Sequence, residues 1–126
     1  MLFSNQPFIA DMTELAVRDG SPVAAAMVAR FARRAALIHA RLDGRLGLAV
    51  NRPEAGMFAL VDVRATGLSG VDFARGLLQQ REVAVMPGES FGASLAGWIR
   101  LSLTRPDADI DEACARIAAH AAAASR

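Results

Sequence analysis

Arg100 is the side chain of this 126-residue sequence whose setting bears most directly on chemistry. It stands in Trp98-Ile99-Arg100-Leu101-Ser102-Leu103, where strict alternation puts Ile99, Leu101 and Leu103 on one face and Trp98, Arg100 and Ser102 on the other. A guanidinium there presents a planar fork of donors that can hold a carboxylate by two parallel hydrogen bonds, which an ammonium cannot copy. Two readings stay open on the pattern alone. Arginines in alternating strands commonly lie on the wet face, whereas Trp98 on the same face speaks against a fully exposed surface. The second feature is the run Pro87-Gly88-Glu89-Ser90-Phe91-Gly92. Two glycines and a proline bracket one aromatic there, an arrangement that brings backbone and ring close to a ligand.

Other reactive types point to structure. His39 and His120 fall on separate predicted helices and are expected at the helix surface or its boundary, without a ligand partner at helical spacing, so no metal site is expected. Cys114 lies between Ala113 and Ala115 and reads as a small core residue. As the single cysteine it excludes an intramolecular disulfide or a cysteine-based metal cluster, and it suits a reducing cytoplasm. The chain has fourteen arginines, no lysine and thirteen acidic residues, for a net charge of +1. No overall field steers it to nucleic acid or an anionic membrane. No apolar run approaches the roughly 20 residues that span a bilayer.

The elements that must position Arg100 and the 87–92 loop follow from periodicity. Apolar spacings of three and four predict a short helix over residues 7–17, stopped at Asp19-Gly20. A longer helix runs from the Ser21 cap and Pro22 to Leu42. Its apolar stripe is Val28, Phe31, Ala35, Ile38 and Leu42. Arg30, Arg33, Arg34 and Arg41 lie largely off that stripe and read as a solvated face. Strands are predicted over 46–50 and 57–63, then a helix opened by Ser69 and Asp72, a short strand Val83-Ala84-Val85, the strand containing Arg100, and an alanine-rich helix over 110–124 capped by Asp109 with Glu112. The expected fold class is α+β: a small, mostly antiparallel sheet covered by helices on one side and preceded by a long amphipathic helix.

Three segments taken in order carry a resemblance: Pro53-Glu54-Ala55-Gly56-Met57-Phe58, then Val83-Ala84-Val85-Met86-Pro87-Gly88-Glu89-Ser90-Phe91-Gly92, then Gly97-Trp98-Ile99-Arg100-Leu101-Ser102-Leu103. Together they resemble the C-terminal small domain of class I/II, fold type I aminotransferases, which use pyridoxal phosphate. The resemblance covers essentially the whole chain, residues 1–20 resembling an interdomain segment and 21–126 the small domain. Ala55 departs from the glycine usual at its position. The resemblance implies that Arg100 pairs with the substrate α-carboxylate. It implies that Gly88, Phe91 and Gly92, with Pro87, form a loop beside the substrate, and that Ser4 and Asn5 approach the cofactor site of a neighbouring subunit.

It implies an amino acid and a 2-oxo acid as substrates. Because the family holds its cofactor on a lysine and this sequence has none, the chain is expected to bind no pyridoxal phosphate and to be inactive alone. The expectation is a truncated or excised portion of a cytoplasmic enzyme, with apolar helix faces left exposed and self-association through them. The alternatives are a stand-alone α+β small-molecule-binding or regulatory module, and an interaction domain that uses Arg30, Arg33 and Arg34.

Overall fold

The computed structural model describes residues 6–125. The chain runs α1 (Pro7–Asp19), α2 (Pro22–Leu42), β1 (Ala49–Asn51), β2 (Phe58–Asp62), α3 (Gly70–Arg81), β3 (Met86–Pro87), β4 (Trp98–Ser102) and α4 (Asp107–Ala124). The four strands form one sheet in the order β1-β2-β4-β3, with every neighbouring pair antiparallel. Register pairs Val61 with Ile99 and Ala59 with Leu101. Period-two alternation therefore turns Val50, Ala59, Val61, Ile99 and Leu101 into one buried face. Helices α2, α3 and α4 cover that face with Ile38, Leu42, Phe73, Leu77, Ile110 and Ile117. The fold is α+β, and the opposite face of the sheet carries Phe58, Leu60, Trp98 and Arg100.

Local chemistry starts these helices where the sequence marks them. Ser21 Oγ accepts from Ala24 N at 3.4 Å, with Pro22 in the first helical position. At α3 the cap is reciprocal: Asp72 N donates to Ser69 Oγ at 3.0 Å, and Ser69 Oγ donates to Asp72 Oδ2 at 2.7 Å. α4 departs from expectation, because it begins at Asp107 behind Pro106 and no side chain caps it. The acids of its first turn suit the positive helix end, and Asp107 is taken up by α2 instead of by its own cap.

That contact corrects the reading of the arginine face. Arg34 is only 8% exposed; its Nε donates to Asp107 Oδ1 at 2.7 Å and a terminal nitrogen donates to Leu103 O at 2.7 Å. Arg33 reaches Asp107 Oδ2, and Arg41 binds both oxygens of Asp111 at 2.6 and 3.1 Å. Part of the face off the apolar stripe is a seam against α4: Arg34 is buried in it, while Arg30, Arg33 and Arg41 stay exposed as expected, and the Arg34 and Arg33 guanidiniums hold the Asp107 carboxyl below the usual carboxylate range. The stripe itself is buried only in its second half: Ala35, Ile38 and Leu42 are in the core, while Val28 is exposed. α1 contributes no buried residue, and Phe8, Met12, Leu15, Val17 and Val23 all face solvent.

Two strands are shorter than periodicity suggests. Leu46 and Gly47 have φ of 53° and 76°, left-handed values that bend the chain and delay β1 to Ala49. Val83, Ala84 and Val85 are not paired; a cavity of about 110 Å³ lies between them and Leu101, Ser102 and Ala113, and pairing with β4 starts only at Met86.

Cys114 is buried as expected, and burial, with some repulsion from Asp111, pushes its thiol up to about 11. His39 lies at the boundary of its helix as expected, though with a carboxylate at helical spacing, and His120 departs from expectation by its burial. His39 Nε2 lies 3.4 Å from Asp43 Oδ2, a carboxylate one helical turn on. His120 is 4% exposed, packed edge-on against Phe73 at 4.8 Å and against Gly76, and neither ring nitrogen has a hydrogen-bond partner among the described residues. The spacing that places Ile110, Cys114, Ile117 and Ala121 inside carries His120 with them.

Burial, reinforced by Arg81, lowers the affinity of His120 for a proton. The unfolded chain takes up that proton near 6.5 and the folded chain only at lower pH, so protons favour unfolding and stability falls as pH drops below about 6.5. Replacing His120 by leucine removes an orphaned polar ring. We expect denaturant midpoints of His120→Leu at pH 7 equal to or above wild type, with the decline below about pH 6.5 reduced. An unchanged acid decline would place the protonation elsewhere.

Candidate functional site

The open face of the sheet gathers the site. β2 and β4 pair Leu60 with Arg100, so Phe58 lies diagonally across from Arg100 on the same face. The Arg100 guanidinium carbon stands 4.0 Å from the Phe58 ring centroid and 4.2 Å from that of Phe91. Each such contact stabilises a cation by about 0.5–2 kcal/mol according to how far water is excluded. Aromatic faces accept no strong N–H hydrogen bond, so the rings orient the fork without consuming its donors. Arg33, Arg34, Arg41, Arg64, Arg105 and Arg116 are each paired with an acid. Arg100 is half-buried and has no acidic partner among the described residues. A pocket of about 360 Å³ opens onto it, lined also by Asn51, Pro53, Phe58, Leu60, Phe91 and Leu95.

The 87–92 loop supplies Phe91 through two consecutive single turns of 3-10 helix, Gly88–Phe91 and Ala93–Leu95, hinged at Gly92 with φ 130°. Gly88 is buried where the loop passes closest to β4: a Cβ there would overlap Leu95 O and lie 3.0 Å from Trp98 Cβ. Gly92 is open, with nothing within 4 Å of an added Cβ. The structure thus brings Arg100 and Phe91 together, places Gly88 beneath them as a packing position, and sets Gly92 at the surface. Ser4 and Asn5 lie outside the described residues.

Three contributors were not singled out from the sequence. Phe58 supplies the second ring, and only strand register brings it to Arg100. Asn51 adds an amide from β1 to the pocket. Glu89 folds inward beneath the loop, its Oε1 accepting from Gly70 N at 2.9 Å and Gly97 N at 3.0 Å. At the far end of the face Asp62 is engaged by Arg64, whose guanidinium holds its carboxyl below the usual range. Arg64 also lies 5.8 Å from the Trp98 ring centroid.

The pocket on this face is lined by two side-chain donors, the Arg100 guanidinium and the Asn51 amide, and by the rings of Phe58 and Phe91, which fits a carboxylate. It does not fit the attachment of pyridoxal phosphate, since the chain has no lysine and Asp62, the carboxylate of this face, is paired with Arg64. No helix is long and apolar enough to cross a membrane among the described residues.

Comparison with known proteins bears on the same segments. Residues 6–117 match the family model described as aminotransferase class I and II. The arginine–pyruvate transaminase of Pseudomonas aeruginosa is 43% identical over 122 residues, covering 97% of this chain and 31% of that protein. The LL-diaminopimelate aminotransferase of Oleidesulfovibrio alaskensis is 34% identical over 104 residues, 82% of this chain and 26% of that protein. Among solved structures, an aromatic aminotransferase from Pyrococcus horikoshii superposes with a TM-score of 0.67 at 30% identity, over 71% of this chain and 24% of that one. A PLP-bound putative aminotransferase from Clostridium difficile superposes with a TM-score of 0.59 at 28% identity, over 74% and 23%. The chain spans less than a third of the length of these relatives. The family match over residues 6–117, nearly the whole chain, shows that this chain belongs to the class I and II aminotransferases.

Proposed function

We propose that this chain is the small-domain portion of a cytoplasmic amino acid aminotransferase and that its open sheet face captures the carboxylate of an amino acid or 2-oxo acid substrate. The carrying observation is Arg100: half-buried, without an acidic partner among the described residues, and steadied by Phe58 and Phe91 while its donors stay available. Capture is a bidentate contact in the plane of the guanidinium, with the carboxylate entering the pocket beside Asn51. The rings exclude water from the pair and so raise the strength of each charge-assisted hydrogen bond. Pyridoxal phosphate supplies the electron sink for amino-group transfer when bound, and its attachment falls to residues outside this chain. The contribution of this chain is to bind and orient substrate and to close over it.

The competing reading, an interaction domain working through Arg30, Arg33 and Arg34, is weakened in two of its three arginines: Arg33 and Arg34 are both engaged by Asp107 within the same chain, while Arg30 stays exposed.

The test is a titration of the chain with pyruvate followed on the Arg100 side-chain N–H by nuclear magnetic resonance, with methyl pyruvate as the uncharged control. We expect a saturable shift with pyruvate, a Kd on the order of 1 mM for so small a ligand, and none with the ester. Equal response to both, or none to either, overturns the assignment.

A further inference from the structure

Phe91 is 45% exposed, so burial alone holds its ring weakly against Arg100. The backbone hydrogen bonds of the loop are short-range: Gly92 N to Glu89 O, Leu95 N to Gly92 O and Ala96 N to Ala93 O. They give the loop its shape and do not dock it. β3–β4 pairing holds the start of the loop at Met86 and Pro87; beyond Gly88 the polar tether is a side chain. Glu89 turns inward, and its Oε1 accepts at once from Gly70 N, nineteen residues away at the start of α3, and from Gly97 N in the turn before β4.

The surroundings are shaped for this carboxylate. Its second oxygen is buried without a hydrogen-bond partner among the described residues, and a Cβ at Gly70 would overlap that oxygen and Trp98 O, so glycine is what lets the carboxylate lie against the helix start. The backbone N–H groups, that of Gly97 foremost, hold the Glu89 carboxyl below the usual carboxylate range, which keeps it an acceptor.

We propose that Glu89 is the positioning residue of the carboxylate-binding face: by tying the 87–92 loop to α3 and to the turn before β4, it sets Phe91 against the guanidinium of Arg100. The assignment rests on the reading of Arg100 as a carboxylate binder, and it makes a claim that can be read without any ligand. Phe91 shifts the resonance of the Arg100 side-chain N–H through its ring current, and that displacement reports the loop's position.

The experiment compares Glu89→Ala, Glu89→Asp, Glu89→Gln, Phe91→Ala and the Glu89→Ala/Phe91→Ala double variant in the full chain. Glutamine keeps an acceptor at Oε1, whereas aspartate is one methylene too short to reach both N–H groups from the same backbone. Glu89→Ala and Glu89→Asp are expected to lose the ring-current displacement and to weaken pyruvate binding about fivefold, the cost of a guanidinium that is no longer held in its binding orientation. Glu89→Gln stays within about twofold of wild type. The double variant is no weaker than Phe91→Ala, because both act through one ring. Where Glu89→Ala does not fold, Glu89→Asp carries the comparison.

Retained displacement and wild-type affinity in Glu89→Ala or Glu89→Asp, additive losses in the double variant, or a Glu89→Gln as weak as Glu89→Ala would each overturn the role of Glu89. A wild-type chain that binds no pyruvate overturns the function of Arg100 instead, and the ring-current comparison still decides the loop anchor.

Discussion

Arg100→Lys is expected to weaken pyruvate binding by about 10- to 100-fold, the worth of one to two charge-assisted hydrogen bonds, while leaving the unfolding midpoint nearly unchanged. The substitution would place the first lysine in the chain and keep the positive charge. What it removes is the fork. An ammonium offers point-like donors on a flexible stem and cannot present two parallel N–H groups in one plane to a carboxylate. It also gives up the flat contact that now sits 4.0 and 4.2 Å from the Phe58 and Phe91 centroids. The side chain of Arg100 supports the fold only through those contacts, which sit at the low end of their range because Phe58 and Phe91 are 40% and 45% exposed and which lysine keeps in part, so a stability change above about 1 kcal/mol is not expected for Arg100→Lys. Titrations of Arg100→Lys and Arg100→Met, each beside a denaturant curve, check both halves. Lysine within a few-fold of wild type would mean that charge alone captures the ligand and that the planar geometry is incidental.

The contrast between Arg100 and Arg34 explains how far the sequence could be read. Both are arginines in patterned segments, and alternation or helical spacing assigns each to a face of its own element. Alternation is a local property, so the β4 faces could be read from the segment itself: Ile99, Leu101 and Leu103 are buried as their spacing requires. The Ser69–Asp72 cap is local too, and it forms as written. What the far side of an element meets is not local. Arg34 finds Asp107 across 73 residues of chain, and nothing in the spacing of α2 signals that α4 begins there with an unclaimed acid. Phe58 reaches Arg100 only because β2 and β4 pair in the register Leu60 to Arg100, and a shift of one residue would turn it to the other face.

The site was legible to the same extent. Arg100 and Phe91 stand in segments whose composition sets them apart, and they meet. Glu89 was hidden because its role depends on two backbone N–H groups, which no side-chain pattern records. Gly88 was marked by the same segment. Its geometry puts it underneath the site, where it allows the loop to approach the sheet.

Gly88→Ala follows from that placement and is expected to be the single-methyl change in the loop most damaging to ligand binding. The added Cβ would overlap Leu95 O and stand 3.0 Å from Trp98 Cβ. Neither can swing aside like the end of a long side chain, because one is backbone and the other is the first side-chain atom of a strand residue. The loop must lift, and overpacking of this kind costs about 1–3 kcal/mol. Lifting also draws Phe91 from Arg100 and Glu89 from Gly70 and Gly97, so stability and pyruvate binding should fall together.

Gly92→Ala is the control. Open space surrounds an added Cβ there, and the cost is conformational, because φ of 130° strains any L side chain by about 1–3 kcal/mol. That strain is relieved by local rotation at the surface without displacing Gly88, so Gly92→Ala should lose stability while the Arg100 resonance keeps more of its ring-current displacement than in Gly88→Ala. Denaturant midpoints paired with that resonance separate the two causes. A Gly88→Ala chain with wild-type stability and an unmoved Arg100 signal would show that the loop does not rest on β4 at this point.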